Sequence, residues 1–313
     1  MDKLPYDFID KVFTKLDHNT IQNTADQFFN CPLWNEVVRV YKQRLQNYSF
    51  TIIPTAIGFS TRIINFNEHG TQTPSSFDNL LQMDDRFMRI TLLAIQPKNI
   101  GLPAEVPHLP SIATHRLPEL LDFVNRFSVE SMVVDGDVDD CDYKNHWKGV
   151  SEAIAKRKLS ASVLELFYFN GAIDFLKNQL QNKQLQKLIL HDEVWHAVQS
   201  ELFSFVCQPH FLSLETDFAC FNPSEIKRII NYNDNLAEPW KTATIRMRTQ
   251  ILDVVEGDET AEQWIGDYEE WMFQIDDGED YPIFEYYSGN NEVLIFFGPC
   301  SVSVEFRNFN QVV

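Results

Sequence analysis

Three groups of residues in this chain have types and spacing that could do chemistry. The run DGDVDDCD over residues 135–142 offers five aspartates, the hard oxygen ligands that calcium takes. A calcium loop needs Gly at its sixth position and Glu at its twelfth. This run has Asp140 and His146 there, so it reads as a solvated loop. His191, Asp192, Glu193 and His196 combine imidazoles with carboxylates, a zinc-type set, but histidines five apart point to different faces of a helix. Cys141 near His146 pairs a thiol with a base, yet the five acids around it would not lower a thiol pKa. The nucleotide, hydrolase and metalloprotease signatures G-x-x-x-x-G-K-[ST], G-x-G-x-x-G, G-x-S-x-G and H-E-x-x-H are missing from the sequence. The expectation is a chain that catalyses nothing itself and uses neither metal nor cofactor.

Composition limits the partners instead. The net charge is −19, and Thr249 to Phe306 hold fifteen acids with no Lys or Arg. Nucleic acid and anionic membranes are poor partners for such a chain, because both require basic surface. No apolar run approaches the roughly 18 residues of a membrane helix. The start MDKLPYDFIDK also lacks the basic-then-apolar order of a secretion signal. Five scattered cysteines without a C-x-x-C pair suggest reduced core thiols, so a cytoplasmic or nuclear location is expected. With 44% hydrophobic residues and 25 Phe in 313 residues, one large core plus a small module is predicted.

What could position a binding surface begins at the N-terminus. Leu4 and Pro5 open a helix on which Phe8, Ile9, Val12, Phe13 and Leu16 form one apolar stripe. Ile21, Ala25 and Phe28 mark a weaker second helix, and Pro32 precedes a third with Leu33, Trp34, Val37, Val38 and Tyr41. Three such helices in about 46 residues are too small for a core of their own, so they must pack on a partner or on the next domain. An N-terminal cap on the following domain is the alternative to a docking module.

The order Leu-Pro, apolar stripe, second helix, then Trp resembles the F-box, the segment that docks substrate-recognition subunits onto the Skp-type adaptor of cullin-RING ubiquitin ligases. The resemblance implies adaptor contacts at Leu4, Pro5, Phe8, Ile9, Val12, Phe13, Leu16 and Trp34. The middle helix departs from the family in being more polar, with Gln22, Asn23, Thr24, Asp26 and Gln27.

The second half carries a period. An L-x-L falls at 164/166, 188/190 and 212/214, spaced by 24 residues, with helix-like segments between. Strand-then-helix units of this length are the signature of leucine-rich-repeat solenoids. Weaker units flank them at MVVDGDV (132–138) and TATIRM (242–247). The predicted fold class is therefore α/β, with a three-helix F-box-like module at 1–46 and an irregular leucine-rich-repeat-like solenoid at 47–313. This combination is similar to the expanded nematode F-box-associated families, which implies a substrate-recognition subunit working with a Skp-family adaptor.

If the leucines point inward, alternation turns their neighbours outward. That nominates Val133, Asp135, Glu165, Phe167, Ile189, His191, Ser213 and Glu215 as a concave target-binding face. A sheet covered on both faces would instead make them core residues. The acidic tract adds Asp276, Asp277, Glu279 and Asp280, with Trp271 as an anchor, as a surface for a basic target; a solvated helix face is its alternative. Elsewhere, residues 88–95 read as a buried strand, GTQTPSS as a loop and LPELLDFVNRF as a helix, while a hairpin turns near Gly289–Asn291.

Overall fold

The computed structural model describes residues 6–13, 32–55, 58–66, 72–96, 111–112, 114–136, 144–157, 159–236, 239–240, 242–248, 272–275, 282–288, 291–298 and 301–308. Helix α1 (Tyr6–Phe13) and helix α2 (Pro32–Arg44) lead into a meander of β1 (Gln46–Thr55), β2 (Gly58–Phe66) and β3 (Gln72–Ser75). A short helix, α3 (Phe77–Leu80), precedes β4 (Met88–Ile95), and β5 (Ser111–Ile112) pairs with β2. Helices and parallel strands then alternate: α4 (Leu117–Val124), β6 (Val129–Val134), α5 (Lys144–Ala155), β7 (Ala161–Leu166), α6 (Ala172–Leu180) and β8 (Lys187–Leu190). The alternation continues through α7 (Gln199–Val206), β9 (Ser213–Thr216), α8 (Pro223–Asp234) and β10 (Thr242–Arg248). Four strands close the chain: β11 (Met272–Ile275), β12 (Pro282–Ser288), β13 (Asn291–Gly298) and β14 (Ser301–Asn308).

All fourteen described strands share one sheet, in the order 11-12-13-14-10-9-8-7-6-4-1-2-3 with β5 beside β2. From β1 through β4 and β6 to β10 every pairing is parallel, while both flanks are antiparallel. Each parallel step advances the sheet by one strand in the same direction. Right-handed crossovers then place α4 to α8 on a single face. Local sequence fits these roles. Strand β10 alternates exposed and buried positions along TATIRMR. Helix α8 starts on a capping box in which Asn222 accepts from the Glu225 N–H and the Glu225 carboxylate accepts from the Asn222 N–H.

One apolar cluster fills the space between sheet and helices. It takes Met132 and Val134 from β6, Leu164 and Leu166 from β7, Leu188 and Leu190 from β8 and Leu214 from β9, together with Phe175, Leu202, Phe205, Ile226 and Ile229 from the helices. Fully burying one such side chain contributes about 1.5–3 kcal/mol, which makes this layer the main source of stability.

The expected module-plus-solenoid architecture is overturned, although the α/β class stands. A solenoid keeps every strand parallel and repeats one unit, whereas this sheet ends in antiparallel ladders on both sides. The 24-residue period also breaks. Leu164 lies opposite Leu188, but Leu188 lies opposite Leu214, so the second step is 26 residues. Leu212 falls outside β9 and is 37% exposed. At the N-terminus, Ile9 and Phe13 of α1 are fully buried against Val37, Val38 and Tyr41 of α2 and against Phe87, just before β4. Arg89 Nη2 donates to the Phe13 carbonyl at 3.0 Å, fastening the end of α1 to the sheet. The two helices thus share a second, smaller apolar cluster with Phe87, separate from the core under the sheet, and the predicted second helix lies outside the described residues. GTQTPSS, expected as a loop, contributes β3.

Candidate functional site

With the helices on one face, the opposite face of β6 to β10 carries the alternate side chains in rows. Register aligns Val133, Glu165, Ile189, Glu215 and Arg246 across the five strands. A second row runs through Ser131, Val163, Lys187, Ser213 and Thr244. None of these ten is buried, in contrast to the leucines one residue away.

Beyond the carboxyl ends of the strands the ladder continues for one residue. The N–H groups of Asp135, Phe167, His191 and Asp217 donate to Ile95, Val134, Leu166 and Leu190 carbonyls at 2.9–3.1 Å. This sets a third row on the same face. Its centre is His191, whose Nδ1 lies 3.0 Å from Asp217 Oδ2 and whose Nε2 lies 3.1 Å from Glu165 Oε1. Phe167 stacks on the imidazole with centroids 3.9 Å apart and planes 13° from parallel. The side chains of His191, Glu165 and Asp217 are 26%, 34% and 46% exposed. Arg246 approaches Glu215 to 3.9 Å, both half-exposed.

The turn after β8 supports this row. Asp192 adopts the left-handed backbone region at φ 76°, and its Oδ2 accepts from the Tyr168 N–H at 2.9 Å. Trp195 is fully buried, and its Nε1–H donates to the His191 carbonyl. Gly136 is forced by close approach: a Cβ there would sit 2.1 Å from the Tyr168 carbonyl oxygen. Asp135 itself is 5% exposed.

The structure therefore brings the eight residues nominated as a concave face, Val133, Asp135, Glu165, Phe167, Ile189, His191, Ser213 and Glu215, onto one side of the sheet. It adds Asp217 and Arg246, which sequence reasoning missed because their pairing with His191 and Glu215 depends on a register about 26 to 31 residues away. Trp271, Asp276, Asp277, Glu279 and Asp280 lie outside the described residues. Of the expected adaptor contacts, Leu4, Pro5 and Leu16 also lie outside them, and Phe8 is in α1. Ile9 and Phe13 point inward, because they fill the cluster with Tyr41 and Phe87, while Val12 and Trp34 are half-buried. Trp34 meets Phe13 edge-on at 5.8 Å.

Among the described residues no group of His, Cys, Asp and Glu is arranged to hold a metal. His191 directly follows strand β8 and lies outside any described helix. Of the DGDVDDCD run, Asp135 and Gly136 are described, and Asp135 continues the sheet ladder. No described helix is long and apolar enough to cross a membrane.

No family model and no curated protein matches the chain. Among solved structures, it aligns with the MycE methyltransferase from the mycinamycin biosynthetic pathway in complex with Mg, SAH and mycinamycin VI. That match has a TM-score of 0.21 and 8% identity, over 98% of this chain and 93% of that one. A second crystal of the same enzyme, with Mg and SAH, gives a TM-score of 0.24 and 10% identity over 99% and 94%. At these scores the likeness carries no argument about fold or chemistry.

Proposed function

We propose that this chain is a recognition protein that captures a partner protein on the face of β6 to β10 opposite helices α4 to α8. The reading is supported most by the row Val133, Glu165, Ile189, Glu215, Arg246, an in-register surface that mixes apolar and charged side chains across five strands. Such a mixture, with an aromatic ring at one end in Phe167, is the composition of a protein interface. The partner is a basic protein. The excess of carboxylates over the whole chain, 45 against 26 Lys and Arg, would speed its arrival electrostatically.

The same proposal extends to a ubiquitin-ligase role, with the N-terminal helices joining a Skp-family adaptor and the cullin-RING ligase behind it. The half-buried Val12, Leu33 and Trp34 are the residues that would meet the adaptor. Ile9 and Phe13 would support them from inside. Co-purification with the Skp-type adaptor tests this half: a complex that survives gel filtration, and is lost in Val12→Asp, supports it. A parent chain that never binds the adaptor removes the ligase role and leaves a stand-alone binding protein. Partner capture tests the other half. A bound protein released by Glu165→Lys with Ile189→Glu, and whose association slows as salt rises from about 0.05 to 0.5 M, supports the face. Capture indifferent to both changes overturns it.

A further inference from the structure

His191 stands between two carboxylates, one on each ring nitrogen, at 3.0 and 3.1 Å. A neutral imidazole carries a single N–H and a lone pair on the other nitrogen. It can donate to Asp217 or to Glu165, but not to both, and its lone pair would then face a carboxylate oxygen. The imidazolium has two N–H donors and satisfies both at once, with charge-assisted bonds. Phe167, stacked flat on the ring, also prefers the cationic form. The geometry thus describes a device with two states rather than a fixed contact.

We propose that His191 is a proton-operated clasp on the recognition face: as imidazolium it ties the carboxyl ends of β7, β8 and β9 together, and on deprotonation it releases one carboxylate to an incoming basic side chain. The second half of this statement rests on the recognition reading; the first does not. Among the described residues, the following groups surround the ring. Strand β7 contributes Glu165 and Phe167, and the end of β9 contributes Asp217. On its own strand Lys187 stands two rows away, at the other end of Ile189. Asp192 turns its carboxylate to the Tyr168 N–H, and Trp195 holds the His191 carbonyl. Asp135 and Arg248 occupy the same side at the ends of β6 and β10. One row away Arg246 and Glu215 offset each other, while Lys187 stands two rows off and Arg248 lies beyond Asp217; the two carboxylates are the charges in direct contact with the ring, so its protonation relieves more repulsion than it creates. Binding of a basic segment should therefore be stronger with the ring neutral than with it protonated, because only the neutral ring leaves a carboxylate free.

The clasp can be tested without any partner, by NMR of the full chain between about pH 8 and pH 5. The side-chain carboxyl signals of Glu165 and Asp217 should move together with the His191 ring nitrogens in one transition, with both ring nitrogens protonated at the acid end. Amide protection at Phe167, His191 and Asp217, corrected for intrinsic exchange, should rise roughly tenfold over the same span, the gain expected from one added charge-assisted bond. In His191→Gln the coupled transition and the rise in protection should both disappear while the fold remains. Carboxyl signals that titrate independently of the ring, or protection unchanged across the range, overturn the clasp. The recognition reading would survive that result, since it stands or falls on partner loss in the Glu165→Lys, Ile189→Glu variant.

Discussion

Phe167 lies flat against His191 with ring centroids 3.9 Å apart and an interplanar angle of 13°, on the side of the sheet opposite helices α4 to α8. Both rings are half-buried, and the two residues end neighbouring parallel strands. Stacked rings of this kind are worth about 0.5–1.5 kcal/mol beyond their area. Phe167→Leu should therefore lower stability only slightly, as read from a urea midpoint. Partner affinity should fall at least several-fold, because a rigid aromatic surface is lost from the end of the interface.

The sheet's register separates two leucines that the period treats alike. Leu188 is fully buried and lies between Leu164 and Leu214, so Leu188→Ala should cost about 2–5 kcal/mol. Leu212 is 37% exposed, and Leu212→Ala should stay within about 0.5 kcal/mol. Chemical denaturation of the two variants checks the difference. Equal losses would mean that β9 pairs two residues out of the register described.

The L-x-L leucines at 164/166 and 188/190 were legible because burial under the helices demands apolar side chains at alternate positions. Alternation also placed Glu165, Ile189 and Glu215 on the opposite face. The third repeat misled for a local reason. The N–H groups of both Leu212 and Ser213 donate to the Gln186 carbonyl, so two extra residues enter before β9 begins. A period cannot show such a slip when the residues it brings in are also apolar. The antiparallel flanks were illegible for another reason. That β10 pairs antiparallel with β14 depends on contacts far along the chain, which the alternation within either strand does not show. Ile9 and Phe13 read as a docking stripe because a helix shows its apolar face without saying what covers it, and here Tyr41 and Phe87 do.

Gly136 fixes how closely the end of β6 approaches the segment after β7. An added Cβ would lie 2.1 Å from the Tyr168 oxygen and 2.9 Å from Phe169 Cβ, so backbone must move. Gly136→Ala should destabilise by about 1–3 kcal/mol and shift the Tyr168 amide signal. An unchanged Tyr168 environment would show that the approach is looser than described.

His210 gives a pH dependence of known sign. Burial pushes its imidazole below the ordinary range, the charge of Lys183 adds to this, and the Leu185 backbone works the other way. Among the described residues its Nε2 is buried without a hydrogen-bond partner. The unfolded chain therefore binds the proton more readily. The contribution is fully present above the unfolded value of about 6.5 and is lost as pH falls from there toward the folded value. Urea midpoints of the parent should drop relative to those of His210→Gln over that window. Parallel curves for the two proteins would contradict this.

Site-specific photo-crosslinking tests whether a partner protein binds the face of the parallel strands opposite α4 to α8. A photoreactive residue placed at Ile189, in the middle of the open row, is compared with one at the exposed Lys148 on α5, on the helical side. A discrete adduct is expected from position 189, lost when Glu165→Lys is added, and none from position 148. Adducts only from position 148, or an adduct at 189 that persists unchanged with Glu165→Lys, would contradict it.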